Sequence, residues 1–159
     1  MKIQNKNHLS LLIWIVLLIT IGAVIGSLTK PEIGSWYSAL NRSTLTPPNY
    51  VFPVAWTILY GIIGACGWLI WRKSQFPRLS VIKTLYVTQL ILNWSWTPLF
   101  FHYHLTGLSL VVLGFMDILV GTIIWLAYKK MRAVSLLMIP YLSWILFASY
   151  LNFYIWWGN

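Results

Sequence analysis

Residues 107–128 read GLSLVVLGFMDILVGTIIWLAY and are followed at once by Lys129-Lys130-Met131-Arg132. The one charged side chain in that stretch is Asp117. A helix rises 1.5 Å per residue, so ~20 residues cross ~30 Å of hydrocarbon. The stretch therefore reads as a membrane span halted by a cationic cluster. Four more segments lack Lys and Arg over a similar length: Leu9–Leu28, Val51–Trp71, Thr84–His104 and Ala133–Trp157. None alternates in polarity as a barrel strand does. The expected fold is all-α, an integral membrane bundle of five transmembrane helices at about 9–28, 51–71, 84–104, 107–128 and 133–157. Residues 1–159 form a single domain, and the long connection 29–50 is its lid.

Composition supports this reading. Hydrophobic residues make up 59% and charged residues 8%, against roughly 45–50% and 25% in soluble globular chains. Glu32 and Asp117 are the only acids, and mean hydropathy is +0.74. These values exclude a cytosolic enzyme, a disordered tail and a disulfide scaffold. One cysteine, Cys66, leaves no intrachain disulfide and no Cys-based zinc site. The net charge of +9 does not point to nucleic acid, because the cations sit in short clusters between apolar runs. The first apolar segment is too long for a signal peptide core, carries Trp14 and lacks an A-x-A site, so it reads as a retained helix. No internal repeat is found, which disfavours a transporter built on paired repeats.

Charge sets the expected orientation. With the spans alternating, one side collects Lys2, Lys6, Arg72, Lys73, Arg78, Lys83, Lys129, Lys130 and Arg132, and the other has Lys30 and Arg42. Positive charge stays inside, so the N-terminus is expected in the cytoplasm, and the lid and C-terminus outside. The lid holds Trp36, Tyr37 and Pro47-Pro48, which argue for an ordered segment folded over one mouth of the bundle.

No catalytic constellation is visible, neither a carboxylate pair nor a Ser-His-Asp set, and no metal cluster. His102 and His104 point ~200° apart if helical and read as interfacial. Helical spacing instead gathers aromatic and amide side chains. Gln89, Asn93, Trp96 and Phe100 share one face, as do Tyr141, Trp144, Ala148 and Asn152, and Trp56 lies one turn from Tyr60. Amides within a membrane face protein or a cavity. The two amide-bearing faces therefore point inward and serve either interhelical hydrogen bonding or a ligand pocket, which periodicity leaves open. Asp117, flanked by Gly114 and Gly121, reads as a close helix contact bonded to a neighbour's polar group, ahead of a proton relay as the alternative. Gly22-x-x-x-Gly26 and Gly61-x-x-x-Ala65 mark faces for bundle packing or for dimerisation.

The chain resembles the TspO/MBR family of tryptophan-rich sensory and translocator proteins (peripheral-type benzodiazepine receptors). The resemblance rests on WYSAL (36–40), Pro47-Pro48, FPVAWTILYG (52–61), QLILNWSWTPLFF (89–101), Asp117 and PYLSWILFASYLN (140–152). It implies a membrane receptor or sensor, commonly a homodimer, with an intramembrane pocket for protoporphyrin IX, haem or a similar planar hydrophobic ligand. The implied ligand-binding residues are Tyr37, Pro47, Trp56, Asn93, Trp96, Trp144, Phe147 and Ala148. No cofactor, metal or nucleic acid is required; porphyrin and membrane lipid are the expected partners. Light-dependent porphyrin breakdown and porphyrin or lipid transport are the alternatives. The chain departs from the family's pattern before Pro47, where Arg42, Ser43 and Leu45 replace a Lys-Pro-x-Trp run. Its C-terminal end also lacks the basic residue of the sterol motif.

Overall fold

The computed structural model describes the backbone of residues 2–159 and the side chains of residues 8–29 and 31–159. The charge readings on Lys2, Lys6 and Lys30 lie outside the described side chains. The described residues form α1 (Lys2–Ser27), α2 (Lys30–Gly34), α3 (Trp36–Ala39), α4 (Val51–Arg72), α5 (Leu79–Phe101), α6 (Thr106–Ala127) and α7 (Arg132–Gly158), with no strand among them. Five helices are long, and α2 and α3 are short turns within the lid. Four contain segments long and apolar enough to cross a membrane: His8–Ser27, Val51–Arg72, Thr106–Ala127 and Arg132–Gly158. The fifth long helix, α5, carries Lys83, Gln89 and Asn93 and is not one of those four. The molecule is a helical membrane bundle. On α1, Leu12, Ile13, Val16 and Leu17 are each more than half exposed; in water that would be a large apolar patch, whereas in a bilayer it faces lipid.

The boundaries moved for identifiable reasons. Helix α1 begins at Lys2 rather than at 9, because Lys and Gln end a hydrocarbon span without opposing a helix. Helix α5 starts at Leu79 rather than 84, since Leu79 and Ile82 are wholly buried and anchor its first turn. It stops at Phe101, where the Pro98 carbonyl accepts both His102 N and Tyr103 N at 3.0 Å and His104 turns the chain at φ 55°.

The long helices form a ring in which α1 packs on α4, α4 on α7, α7 on α6, α6 on α5, and α5 returns to α1. The α1–α4 seam needs small residues. A Cβ on Gly64 would lie 2.9 Å from Ile15 Cα and Trp14 O, one on Gly67 would meet the Trp14 ring, and one on Gly22 would enter the Tyr60 ring. This glycine face therefore serves packing within the chain, an assignment that spacing had left open between packing and dimerisation. Gly26 is different, with no heavy atom within 4 Å of its Cβ position. The reading of Gly114 and Gly121 as a close contact is corrected, because both face open space. Helix α6 packs instead through Leu113, Met116, Val120 and Ile123, which leaves that pair to one side. Asp117 nevertheless bonds across helices, accepting from Ser149 Oγ of α7 at 2.8 Å.

Candidate functional site

Beneath the lid lies a cavity of about 410 Å³, walled by α1, α4, α5 and α7. Its roof is α2–α3. Tyr37 is buried there, tilted against Phe101 at 5.5 Å and edge-on to Phe100 at 6.2 Å, with the Arg42 guanidinium 4.9 Å from its ring. Burial raises the Tyr37 phenol above its ordinary value, and a hydrogen bond from Arg42 and its charge act the other way. The roof is tied down on both sides. Trp36 stacks on His104 at 4.0 Å and 14°, and His104 Nε2 lies 3.3 Å from Glu32 Oε2. On the α7 side, Asn41 N donates to Asn159 Oδ1 at 2.9 Å, and the Ser43 and Tyr150 hydroxyls meet at 2.9 Å.

The walls are aromatic. Trp56 on α4 tilts against Tyr60 at 5.6 Å, and Trp144 of α7 stands edge-on behind Trp56 at 6.5 Å. Opposite, Trp96 of α5 stacks on Phe100 at 5.4 Å and 19°. The Trp96 indole N–H donates to Asn152 Oδ1 at 3.1 Å; that oxygen also accepts from Ser109 Oγ, and Asn152 Nδ2 donates to the Thr106 carbonyl. Asn152 thus holds α5, α6 and α7 together behind the wall. Gly22 and Gly26 make the α1 side thin, and Ala148 does the same on α7.

The floor is a buried polar chain. Tyr60 OH donates to Asn93 Oδ1 at 2.5 Å, Asn93 Nδ2 to Tyr141 OH at 3.0 Å, and Tyr141 OH to Gln89 Oε1 at 2.8 Å. A polar group in a lipid-immersed bundle needs an internal partner, and this chain supplies one while joining α4, α5 and α7. It accounts for the amide faces seen in the sequence, which here serve interhelical bonding directly under the cavity.

Of the eight residues taken from the resemblance, Tyr37, Trp56, Trp96 and Ala148 line the cavity. Asn93 lies one layer below, behind the Tyr60 hydroxyl. Trp144 backs Trp56, Phe147 packs on Trp144 at 6.0 Å, and neither lines it. Pro47 sits in a separate polar hollow of the lid with Arg42, Ser43 and Thr46. Lining residues missing from those eight include Gly26, Tyr60, Phe100 and Asn152. Three of these carried a signal, since Phe100 and Asn152 lay on inward faces and Tyr60 shared a face with Trp56. Gly26 carried only a small-residue spacing that suits a helix contact equally well.

A hollow lined mainly by rings and small residues, with the Asn152 amide already engaged, suits a flat, largely apolar molecule held by shape and stacking. The TspO/MBR family model matches residues 14–157. The chain is 39% identical to the "Tryptophan-rich protein TspO" of Archaeoglobus fulgidus, over 94% of this chain and 96% of that protein. It is 34% identical to the "Tryptophan-rich sensory protein" of Cereibacter sphaeroides, over 82% and 80%, and 32% identical to the "Translocator protein" of Bos taurus, over 90% and 86%. A match across nearly the whole chain and whole-length relatives at this identity carry one conclusion: the chain belongs to the TspO/MBR family.

Proposed function

We propose that this protein is a membrane receptor or sensor that takes a tetrapyrrole, such as protoporphyrin IX or haem, into the cavity under the lid. The observation that carries the reading is the cavity itself, with the Trp56 and Trp96 rings lining it, Tyr37 above and Ala148 leaving a gap in the α7 wall. A macrocycle is flat and apolar on both faces, and ring walls beside small residues make a slot for it. In this reading α5 is the fifth span. Its amides face Tyr60 and Tyr141 rather than lipid, which lowers the cost of carrying them across a bilayer. The N-terminus is cytoplasmic, by the charge asymmetry of the connections.

The test is quenching of tryptophan emission on titration with protoporphyrin IX, with helical content checked for each variant. Ala148→Phe should fill the slot and weaken binding. Trp56→Leu should weaken it by up to about tenfold, since a stacked ring contributes ~0.5–1.5 kcal/mol beyond its area. Trp125, on the outer face of α6 and 69% exposed, is the control: Trp125→Phe should bind as wild type. Wild-type binding by both cavity variants would place the ligand elsewhere.

A further inference from the structure

The end of the bundle opposite the lid carries a charge with no internal counterpart. Arg72, Lys73, Arg78 and Lys83 surround the α4–α5 connection, and Lys129, Lys130 and Arg132 the α6–α7 turn. Both acids of the chain are engaged elsewhere: Glu32 with His104 at the lid and Asp117 with Ser149 along α6. Among the described residues the one ion pair is His104–Glu32. Countercharge for the basic end therefore comes from outside the chain.

Three of these cations rest on indoles. Arg72 lies 4.5 Å from the Trp68 ring, Lys83 5.6 Å from Trp71, and Arg78 5.6 Å from Trp125. Arg78 stands out for its backbone. It precedes α5 at φ 77°, in the left-handed region that favours glycine. An arginine there is not the residue the turn prefers, and its side chain reaches across to a different helix, α6. A guanidinium lying on an indole keeps its N–H fork free for a bidentate oxyanion.

The surface beside it identifies the oxyanion's carrier. Leu108, Val111, Phe115, Ile118 and Trp125 follow helical spacing down one side of α6, and each is at least half exposed. This is an apolar track along a spanning helix, interrupted at Thr122, whose hydroxyl is turned back onto the Ile118 carbonyl, and it ends under the Arg78 guanidinium. A nucleic acid or an acidic protein would have no use for the track, whereas a phospholipid has an acyl chain for it and a phosphate for the cation.

We propose that Arg78 and Trp125 form a binding site for an acidic phospholipid, with the phosphate on Arg78, the acyl chain along the α6 track, and Lys129 and Lys130 of the next turn adding to the positive field. Surplus cations disfavour a headgroup carrying its own positive charge, so the site selects phosphatidylglycerol-type lipid over phosphatidylcholine.

The test is lipid retention by the detergent-solubilised full-length protein, read by native mass spectrometry and by the unfolding temperature after addition of phosphatidylglycerol, phosphatidylcholine or inorganic phosphate. Phosphatidylglycerol should be retained and should raise the unfolding temperature, while the other two should not. Arg78→Gly should weaken phosphatidylglycerol binding about fivefold, the effect of one basic charge near a lipid surface. Without added lipid that variant should unfold no earlier than wild type, because glycine suits φ 77°; a purely structural arginine would show the reverse pattern. Lys73→Gln, a cation of the same end without an indole beneath it, should bind closer to wild type. Equal retention of both phospholipids, wild-type binding by Arg78→Gly, an equal effect of inorganic phosphate, or displacement by a short DNA duplex at matched charge would each overturn the proposal.

Discussion

Gly22→Ala perturbs the cavity through one methyl group. The added Cβ would fall inside the Tyr60 ring. The ring has little freedom to yield, because it is 6% exposed and its hydroxyl is held by Asn93 Oδ1 at 2.5 Å. Overpacking of this kind costs about 1–3 kcal/mol, and loss of the Tyr60–Asn93 bond adds about 0.5–1.5 kcal/mol. Alanine recovers roughly 0.8–1 kcal/mol of helix propensity over glycine. The net is a destabilisation of about 0.5–3.7 kcal/mol, or a fall of roughly 1–15 °C in unfolding temperature for a chain of this size. Gly26→Ala is the matched control one turn along: nothing lies within 4 Å of its Cβ position, so only the helix term remains and no fall is expected. The assay is thermal unfolding in one detergent of the two single variants, Tyr60→Leu and the double variant Gly22→Ala/Tyr60→Leu. With the ring gone, Gly22→Ala should lose its penalty while keeping the helix gain, giving a coupling of about 1.5–4.5 kcal/mol between the two positions. A wild-type unfolding temperature for Gly22→Ala, or an undiminished penalty in the Tyr60→Leu background, would refute the contact as the cause.

The lid latch is testable by limited proteolysis of the 29–50 connection. His104→Ala removes both the Trp36 stack and the Glu32 contact and should speed cleavage, while Glu32→Gln, which loses only an exposed pair of roughly 0–1 kcal/mol, should do so less. Unchanged rates in His104→Ala would show the latch to be inert. Gly64→Ala should destabilise more than Gly114→Ala, because the first would press a Cβ on the backbone of α1 and the second on nothing; equal unfolding temperatures would contradict the α1–α4 packing. For orientation, a reporter fused after Asn159 should be active only if it works outside the cytoplasm, and activity of a cytoplasmic reporter there would remove one span.

The class of molecule was legible from one property, the distribution of charge. Two acids, clustered cations and long uncharged runs leave a chain no stable form but helices in lipid, because backbone groups in hydrocarbon must be bonded within the same segment. Inward faces were legible too, since an amide at membrane depth has one tolerable direction, and Gln89, Asn93 and Asn152 are buried and bonded. Helix ends were less legible. Hydropathy marks where lipid stops, whereas α1 runs past that point with its lysines and α5 ends at a proline carbonyl and a left-handed histidine.

Distances between helices belonged to the tertiary structure alone. Trp56, Trp96 and Trp144 have similar claims in the sequence, each on an aromatic face of its helix, yet two line the cavity and the third stands behind the first. Glycines at one spacing, Gly22 and Gly26, diverge in the same way: one is closed by a ring that arrives from α4, the other is left open. Periodicity assigns a side chain to a face of its own helix, and that is a local property of the backbone. Whether the face meets a neighbour, a cavity or lipid depends on which helix lies across from it and how near, and that is set by the packing of the whole ring.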